Sequence, residues 1–430
     1  MDKGTGVTSL KSTLVAGAAA LVMIAGGPAW AQTAPASQSD GAAAGPQLRV
    51  QTRAADDSGY GVTLRLQYTG EAADNAIGGL RDGATYMNNI LAQLHVDTGQ
   101  AFGWTGGRIV LEAFYENANS LDTGYVGAAQ DPSAIDTSGV AMARVYQAYY
   151  TQDLGATNLL FGIYDLETEF GATRPMDVFF NGAYAWTTTF DQSGLNGPST
   201  YPSTALAFRV RQTLSDAWSI QAAILDGVPD SMKHPEINAV NLNKNNGALL
   251  VAEVDYTPSR TSKVMAGYWN YTGTFESLSE TDSEGGARQV YGSRGGYIGG
   301  ATRIYSPAPR RGLDVFANVG FASADTQQID QSYSAGLVYT GLLPGRPFDK
   351  LGFAVGVARA GNPYRQMQIA SGAGVRTYET NFELTYRAPI TRWLTIQPDI
   401  QYWINPNMDP TIRNDLLFLI HFELSHVFDF

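Results

Sequence analysis

The last stretch of the chain, Asn414 to Phe430, reads NDLLFLIHFELSHVFDF. Taken every second residue from the end, it gives Phe430, Phe428, His426, Leu424, Phe422, Ile420, Phe418 and Leu416, all apolar except His426. The interleaved set is Asp429, Val427, Ser425, Glu423, His421, Leu419 and Leu417, which turns polar towards the C-terminal half. A period of two predicts a β-strand with one apolar and one mixed face. The run is longer than the about 9–11 tilted residues that a strand needs to cross a bilayer.

The same alternation recurs from Tyr60 onward, broken at Gly, Pro, Asn and Asp clusters. Arg108–Asn117 sets Ile109, Leu111, Ala113 and Tyr115 against Arg108, Glu112 and Glu116. Ala248–Tyr256 sets Leu250, Ala252, Val254 and Tyr256 against Glu253 and Asp255. Thr377–Arg387 sets Tyr378, Thr380, Phe382, Leu384 and Tyr386 against Thr377, Glu379, Asn381, Glu383, Thr385 and Arg387. Leu394–Ile404 sets Leu394, Ile396, Ile400, Tyr402 and Ile404 against Thr395, Gln397, Asp399 and Gln401. In water the apolar face would form a core. In a membrane the assignment inverts, with apolar residues towards lipid and polar residues towards a wet lumen. The expected fold is all-β: a transmembrane antiparallel β-barrel of about sixteen strands.

The connections alternate in length. Short ones fall near Gly155–Asn158, Ser215–Ala217, Thr257–Ser262, Pro307–Gly312, Pro344–Lys350 and Pro389–Arg392. Long ones fall near Asn117–Gly139, Asp165–Thr204, Asp226–Asn246 and Thr272–Arg294. Short periplasmic turns and long outer loops are the pattern of a membrane barrel, and an even strand count returns both ends to one side. The Asp165–Thr204 loop, of about 40 residues, is the longest. A loop of that length is usually functional, and here it is expected to fold inward.

The N-terminus changes the compartment. Lys3 and Lys11 flank the start of an apolar run, Leu14 to Gly27, and Ala29-Trp30-Ala31 forms a small-x-small cleavage site. Residues 1–31 read as a secretory signal peptide. Residues 32–58, rich in Ala, Gln, Ser, Pro and Gly, read as a flexible periplasmic leader, and 59–430 as the barrel. No later apolar run reaches the about 18 residues of a membrane helix, so a closed barrel is the remaining way to span. The net charge of -12 argues against nucleic acid as a partner. With no cysteine there is no disulfide framework and no thiolate metal site. The 47 glycines suit tight turns between strands.

Two stretches carry a resemblance. Gly336–Lys350 reads GLVYTGLLPGRPFDK and continues LGFAVGVARA; Tyr378–Pro406 reads YETNFELTYRAPITRWLTIQPDIQYWINP. Its paired ET-x-x-E-x-x-Y and QPD-x-Q-Y segments stand beside ALLVAEVDY at Ala248–Tyr256 and ALAFRVRQ at Ala205–Gln212 after Tyr201-Pro202. Together they resemble the OprB-type carbohydrate-selective porins, over most of the chain after Gly59. The terminal strand ending in Phe430 resembles the closing strand of Gram-negative outer-membrane barrels. The resemblance implies a multi-pass barrel of the Gram-negative outer membrane that passes monosaccharides or small oligosaccharides down their gradient. It also implies contact with outer-membrane lipid and with the barrel insertion machinery, and a constriction lined by arginines and acidic residues.

A sugar channel needs donor forks, acceptors and aromatic faces, each contact weak enough to release. The inward candidates on strands are Glu112, Arg144, Arg209, Arg211, Glu253, Glu383, Asp399 and Gln401. From the long loop come Glu169, Arg174 and Asp177, with Tyr184 and Trp186 as stacking candidates. Arg209 and Arg211, two apart and so on one face, are expected to meet Glu169 or Asp177. The alternatives are a general diffusion porin preferring cations and a plugged structural barrel. Catalysis finds no support. The histidines are His95, His234, His421 and His426, with His421 facing the lumen two residues before Glu423. No nucleophile pairing or spaced metal cluster accompanies them. No cofactor, catalytic residue or metal ligand is expected.

Overall fold

The computed structural model describes residues 60–229, 240, 242 and 246–430. The expected signal peptide, the leader and His234 lie outside the described residues. Sixteen antiparallel strands pair each with its sequence neighbour, and β1 closes on β16. They are β1 (Val62–Gly79), β2 (Gly83–Asp97), β3 (Gly107–Glu116), β4 (Met142–Leu154), β5 (Thr157–Tyr164) and β6 (Ala205–Thr213). Next come β7 (Trp218–Asp226), β8 (Ala248–Ser259), β9 (Ser262–Thr281), β10 (Ala287–Ala308) and β11 (Arg311–Ala322). The set ends with β12 (Ile329–Thr340), β13 (Lys350–Ala360), β14 (Tyr378–Pro389), β15 (Leu394–Ile404) and β16 (Arg413–Asp429). Closure leaves no edge strand, so every ladder N–H and C=O can be paired within the wall. Thr63 sits opposite Asp429, placing both barrel ends on one rim.

Side-chain direction follows the sequence alternation. Leu111, Leu250, Leu384, Ile400 and Leu424 are exposed outward, whereas Glu112, Glu253, Glu383, Asp399 and Glu423 are buried inward. The terminal ring, Phe430, is exposed, and its N–H donates to Val62 O at 2.9 Å. At the periplasmic rim the turns are tight. Gly155, at φ 67°, makes the β4–β5 turn in a conformation that L residues avoid. Between β2 and β3 a short helix, Thr98–Phe102, fills the turn, with the Asp97 carboxylate accepting from Gly99 N and Gln100 N.

Three expectations are corrected. Thr272–Arg294 is not a long loop: β9 and β10 continue above the barrel as a paired ribbon, with Phe275 opposite Val290 and Glu276 opposite Gln289. Outside the membrane such a ribbon needs no lipid face, so its Ser, Thr and Glu residues hid its strands. The β1–β2 connection, although on the outer rim, spans only Gly79 to Gly83. The inner face is also not uniformly polar: Trp269, Phe316, Trp403, Leu417 and Leu419 point inward and are buried.

The outward register generates a test. Leu384→Arg places a charge on the lipid face and is expected to cost roughly 2–4 kcal/mol if the position lies near the bilayer midplane. Glu383→Gln, one residue away on the other face, is expected to cost far less barrel stability. Urea titration of both variants folded into bilayers measures the difference; equal losses would mean a one-residue slip of β14.

Candidate functional site

Two outer loops enter the barrel: residues 117–141 (L2) and 165–204 (L3). L3 begins with a turn at Leu166–Thr168, runs through a 3-10 turn at Arg174–Val178, and carries short helices at Gly182–Ala185 and Thr188–Asp191. A loop inside a barrel brings backbone N–H groups that have no ladder partner. Each must find an acceptor. The wall supplies it from inward carboxylates.

Glu253 of β8 accepts from Gly171 N and from Tyr297 Oη, both at 2.6 Å. Gln221 Nε2 adds a bond to Glu253 at 2.9 Å. Glu383 of β14 accepts from Phe180 N at 2.7 Å and Asn181 N at 3.0 Å. Gln397 Nε2 donates to Val178 O at 2.6 Å, and Tyr184 Oη donates to Asn381 Oδ1 at 2.6 Å. L2 is held in the same way. Glu379 accepts from Ala129 N at 2.8 Å and Gln130 N at 2.9 Å, and also from Asn407 N of the last outer loop. Gln401 Nε2 donates to Pro132 O at 2.8 Å, and Ser133 Oγ donates to Glu71. Between the anchors lie aromatic contacts. Phe190 stacks on Trp269 at 5.2 Å, and Phe179 meets Phe316 at 5.6 Å.

The remaining charged groups pair across strands. Arg209 donates to Glu169 at 2.8 Å and to Asn158 Oδ1. Lys263 Nζ lies 3.0 Å from Asp255 and 3.7 Å from Glu253, and donates to Ala172 O. Arg387 makes a two-pronged contact with Glu423 at 3.1 and 2.9 Å. His421 Nδ1 lies 2.8 Å from Glu71, with its ring 4.8 Å from that of Phe180. In L2, burial pushes the Asp122 carboxyl up to about 7, against the lowering effect of the Ala128 N–H. The result is an inner surface narrowed by two pinned loops, with cations and acceptors facing across it.

The family model for the carbohydrate-selective porins of the OprB family matches residues 81–424. The chain belongs to that family. It is an outer-membrane porin for the passive passage of sugars, and its barrel is a Gram-negative one. Porin B of Pseudomonas aeruginosa is 24% identical to this porin over 83% of the chain and 86% of that relative. The structure of OprB from Pseudomonas putida at high pH superposes with a TM-score of 0.77 at 21% identity, covering 85% of this chain and 94% of that one. The outer-membrane channel DcaP of Acinetobacter baumannii gives 0.54 at 11% identity, over 85% and 97%.

The porin distributes the predicted residues unevenly. Arg209 and Glu169 meet directly, and Arg211 lies 3.9 Å from Asp255. Asp177 stands on the same loop turn as the exposed Arg174, within electrostatic reach of Arg387. Glu112 accepts from Gln147 Nε2 at 2.8 Å, and Arg144 Nη1 reaches Pro202 O at 3.5 Å. Glu253, Glu383 and Gln401 face inward, but they hold loop backbone, and Asp399 lies behind L3 beside Glu383. Tyr184 and Trp186 are 0% and 1% exposed. Their rings are packed on Phe179, Phe316 and Phe190, which leaves no face for a sugar. The candidate set left out Lys263, Arg387, His421 and Glu71. Their inward parity was visible in the alternation; their partners lie on the adjacent strand for Lys263 and for the Glu71–His421 pair, and two strands on for Arg387.

If the carboxylates hold L3, removing them opens the pore. Glu253→Ala combined with Glu383→Ala removes charge-assisted bonds worth roughly 1.5–3 kcal/mol each. Single-channel conductance is expected to rise and become noisier, while the barrel stays heat-modifiable on gels. Unchanged conductance would mean that the aromatic packing alone fixes the loop.

Proposed function

We propose that sugars cross through the part of the lumen that L2 and L3 leave along β2–β6, and that Arg209, Arg211, Glu169, Glu112 and Arg144 set its selectivity together with Arg174 and Asp177 from L3. The observation that carries this reading is the Arg209–Glu169 contact, which sets a loop acceptor against a wall donor at 2.8 Å. Arg209 is 2% accessible and Glu169 21%, so the arginine fixes the acid and a sugar hydroxyl donates to the acid's open side. Each contact is weak enough to break, as conduction requires.

The competing reading is a general porin that prefers cations. It is disfavoured by what the acids do. Glu253, Glu379 and Glu383 are engaged with loop N–H groups, Glu423 with Arg387, and Asp255 with Lys263. These acids are therefore tied to loop and wall partners rather than free to line a cation path. We further propose that residues 1–31 are removed as a signal peptide and that 32–58 form a periplasmic leader. The partners are small sugars, outer-membrane lipid around the apolar belt, and the insertion machinery that recognises the Phe430 end. The family and fold are those of a channel, and catalysis is not part of the proposal.

Two measurements test this function. Proteoliposomes are expected to swell in monosaccharides and progressively less in larger oligosaccharides; absence of swelling would indicate a sealed barrel. In planar bilayers, Arg209→Ala with Arg211→Ala is expected to weaken sugar block of ion current roughly tenfold, as for a lost contact of about 1.4 kcal/mol. The reversal potential should move towards cations. Unchanged block and potential would remove both arginines from the constriction.

Assembly offers a separate test. Deleting Phe430, or Phe430→Asp, is expected to lower the amount of folded barrel in the outer membrane. Normal levels of heat-modifiable protein would show that the terminal ring is not read.

A further inference from the structure

The outer wall of the barrel is not evenly filled. Across β6–β11 an open groove of about 730 Å³ cuts into the face that the apolar belt turns to lipid. Small outward residues lie along it: Ala222, paired with Ala252 across β7–β8, then Ala266 and Gly296. Ile220, Tyr268, Ile298 and Phe321 stand above them as exposed sides.

The groove runs obliquely. Its lower end is at Gln212 and Ile220, beside the short β6–β7 turn. Its upper end is at Gly296 and Phe321, and β11 finishes one residue later at Ala322. Two positions above Gly296 on the same face of β10 stands Arg294, exposed and paired in register with Asn270 of β9. Among the described residues the Arg294 guanidinium has no ion pair, and the Asn270 amide has no side-chain hydrogen bond. From Arg294 down to Ile304, exposed near the periplasmic end of β10, is ten residues. That is the length of strand, about 9–11 residues, that crosses the apolar layer. Arg294 therefore lies at the outer rim of that layer, at the level of lipid headgroups.

We propose that this wall binds one phosphorylated, acylated lipid of the outer leaflet, with an acyl chain in the groove and a phosphate on Arg294 and Asn270. An unpaired outward arginine at the rim is an arrangement that suits an anion: its fork of N–H donors matches phosphate oxygens. The groove beneath it gives the attached chain a seat where a smooth wall would offer only transient contact. Basic residues near the membrane surface attract anionic lipid headgroups in this way. The lipid contact is separate from the sugar path, since the groove is lined on the outer side of the wall.

The test is native mass spectrometry of the full barrel in detergent, titrated with diphosphoryl lipid A and with the same lipid after removal of its phosphates. The wild-type barrel is expected to retain one copy of the phosphorylated lipid and to hold the dephosphorylated one several-fold less. Arg294→Gln should lower retention of the phosphorylated lipid about five-fold and leave the dephosphorylated lipid unchanged, as for one lost surface cation. Ala252→Phe, which fills the groove, should lower retention of both. Heat-modifiability and liposome swelling confirm that each variant still folds and conducts. Equal retention by all three proteins would overturn the proposal, leaving ordinary lipid solvation of the belt. So would barrel dimers or trimers that Ala252→Phe abolishes, since a second copy would then occupy the groove.

Discussion

The interior of this porin depends on carboxylates that accept from loop backbone. Folding L2 and L3 into the barrel buries N–H groups that no strand can satisfy, and an orphaned buried N–H costs about as much as a lost hydrogen bond. Glu253, Glu379 and Glu383 resolve this from two strands, β8 and β14. Each has two oxygens, so one side chain can hold two consecutive N–H groups, as Glu383 does with Phe180 and Asn181. Lys263 then balances the charge of Glu253 from the neighbouring strand. The loop's position, and with it the pore's width, follows from where these acids fall in the strand alternation.

This arrangement divides the barrel into two kinds of wall. Where L3 lies, inward positions include Trp269, Phe316 and Tyr297, and the contact is a packed apolar core with carboxylates set in it. Along β3–β6 the inward positions also include Glu112, Arg144, Arg209 and Arg211, of which the first three are buried and Arg211 keeps 31% of its side chain accessible. An inward tryptophan is unfavourable beside a wet lumen and favourable beneath a loop. The placement of large apolar residues among inward positions therefore marks which part of the wall is covered.

The strands were legible because period two is written into each of them. Leu384 and Glu383 could be assigned to opposite faces from sequence, and so could Leu250 and Glu253. The ribbon of β9 and β10 beyond the membrane was not legible, since its outward residues no longer face lipid and lose the apolar alternation. The roles of the inward acids were equally hidden. Glu112 and Glu383 look alike in sequence, each on the polar side of a clean strand. One bonds to a neighbouring strand's Gln147 and the other to loop residues Phe180 and Asn181, about two hundred positions away in the chain. Tyr184 and Trp186 were legible as functional only in part: a long loop rich in aromatics signals importance, but not whether its rings meet solute or bury themselves.

The chain's net charge of -12 is a poor guide to the field inside the pore for the same reason. A carboxylate that accepts two backbone N–H groups is already solvated by the protein, and its charge is spread into the loop's dipoles. The partly exposed inward cations are oriented differently. Arg211 and Arg387 keep 31% and 25% of their side chains accessible, while their partners Asp255 and Glu423 keep 4% and 7%. The buried partner fixes the arginine by one side and leaves its other donors towards the lumen. Under the proposed function, a neutral sugar meets these arginines as fixed donors, and selectivity for hydroxylated solutes rests on geometry more than on net charge, because a sugar hydroxyl both donates and accepts whereas an isolated ion does one or the other.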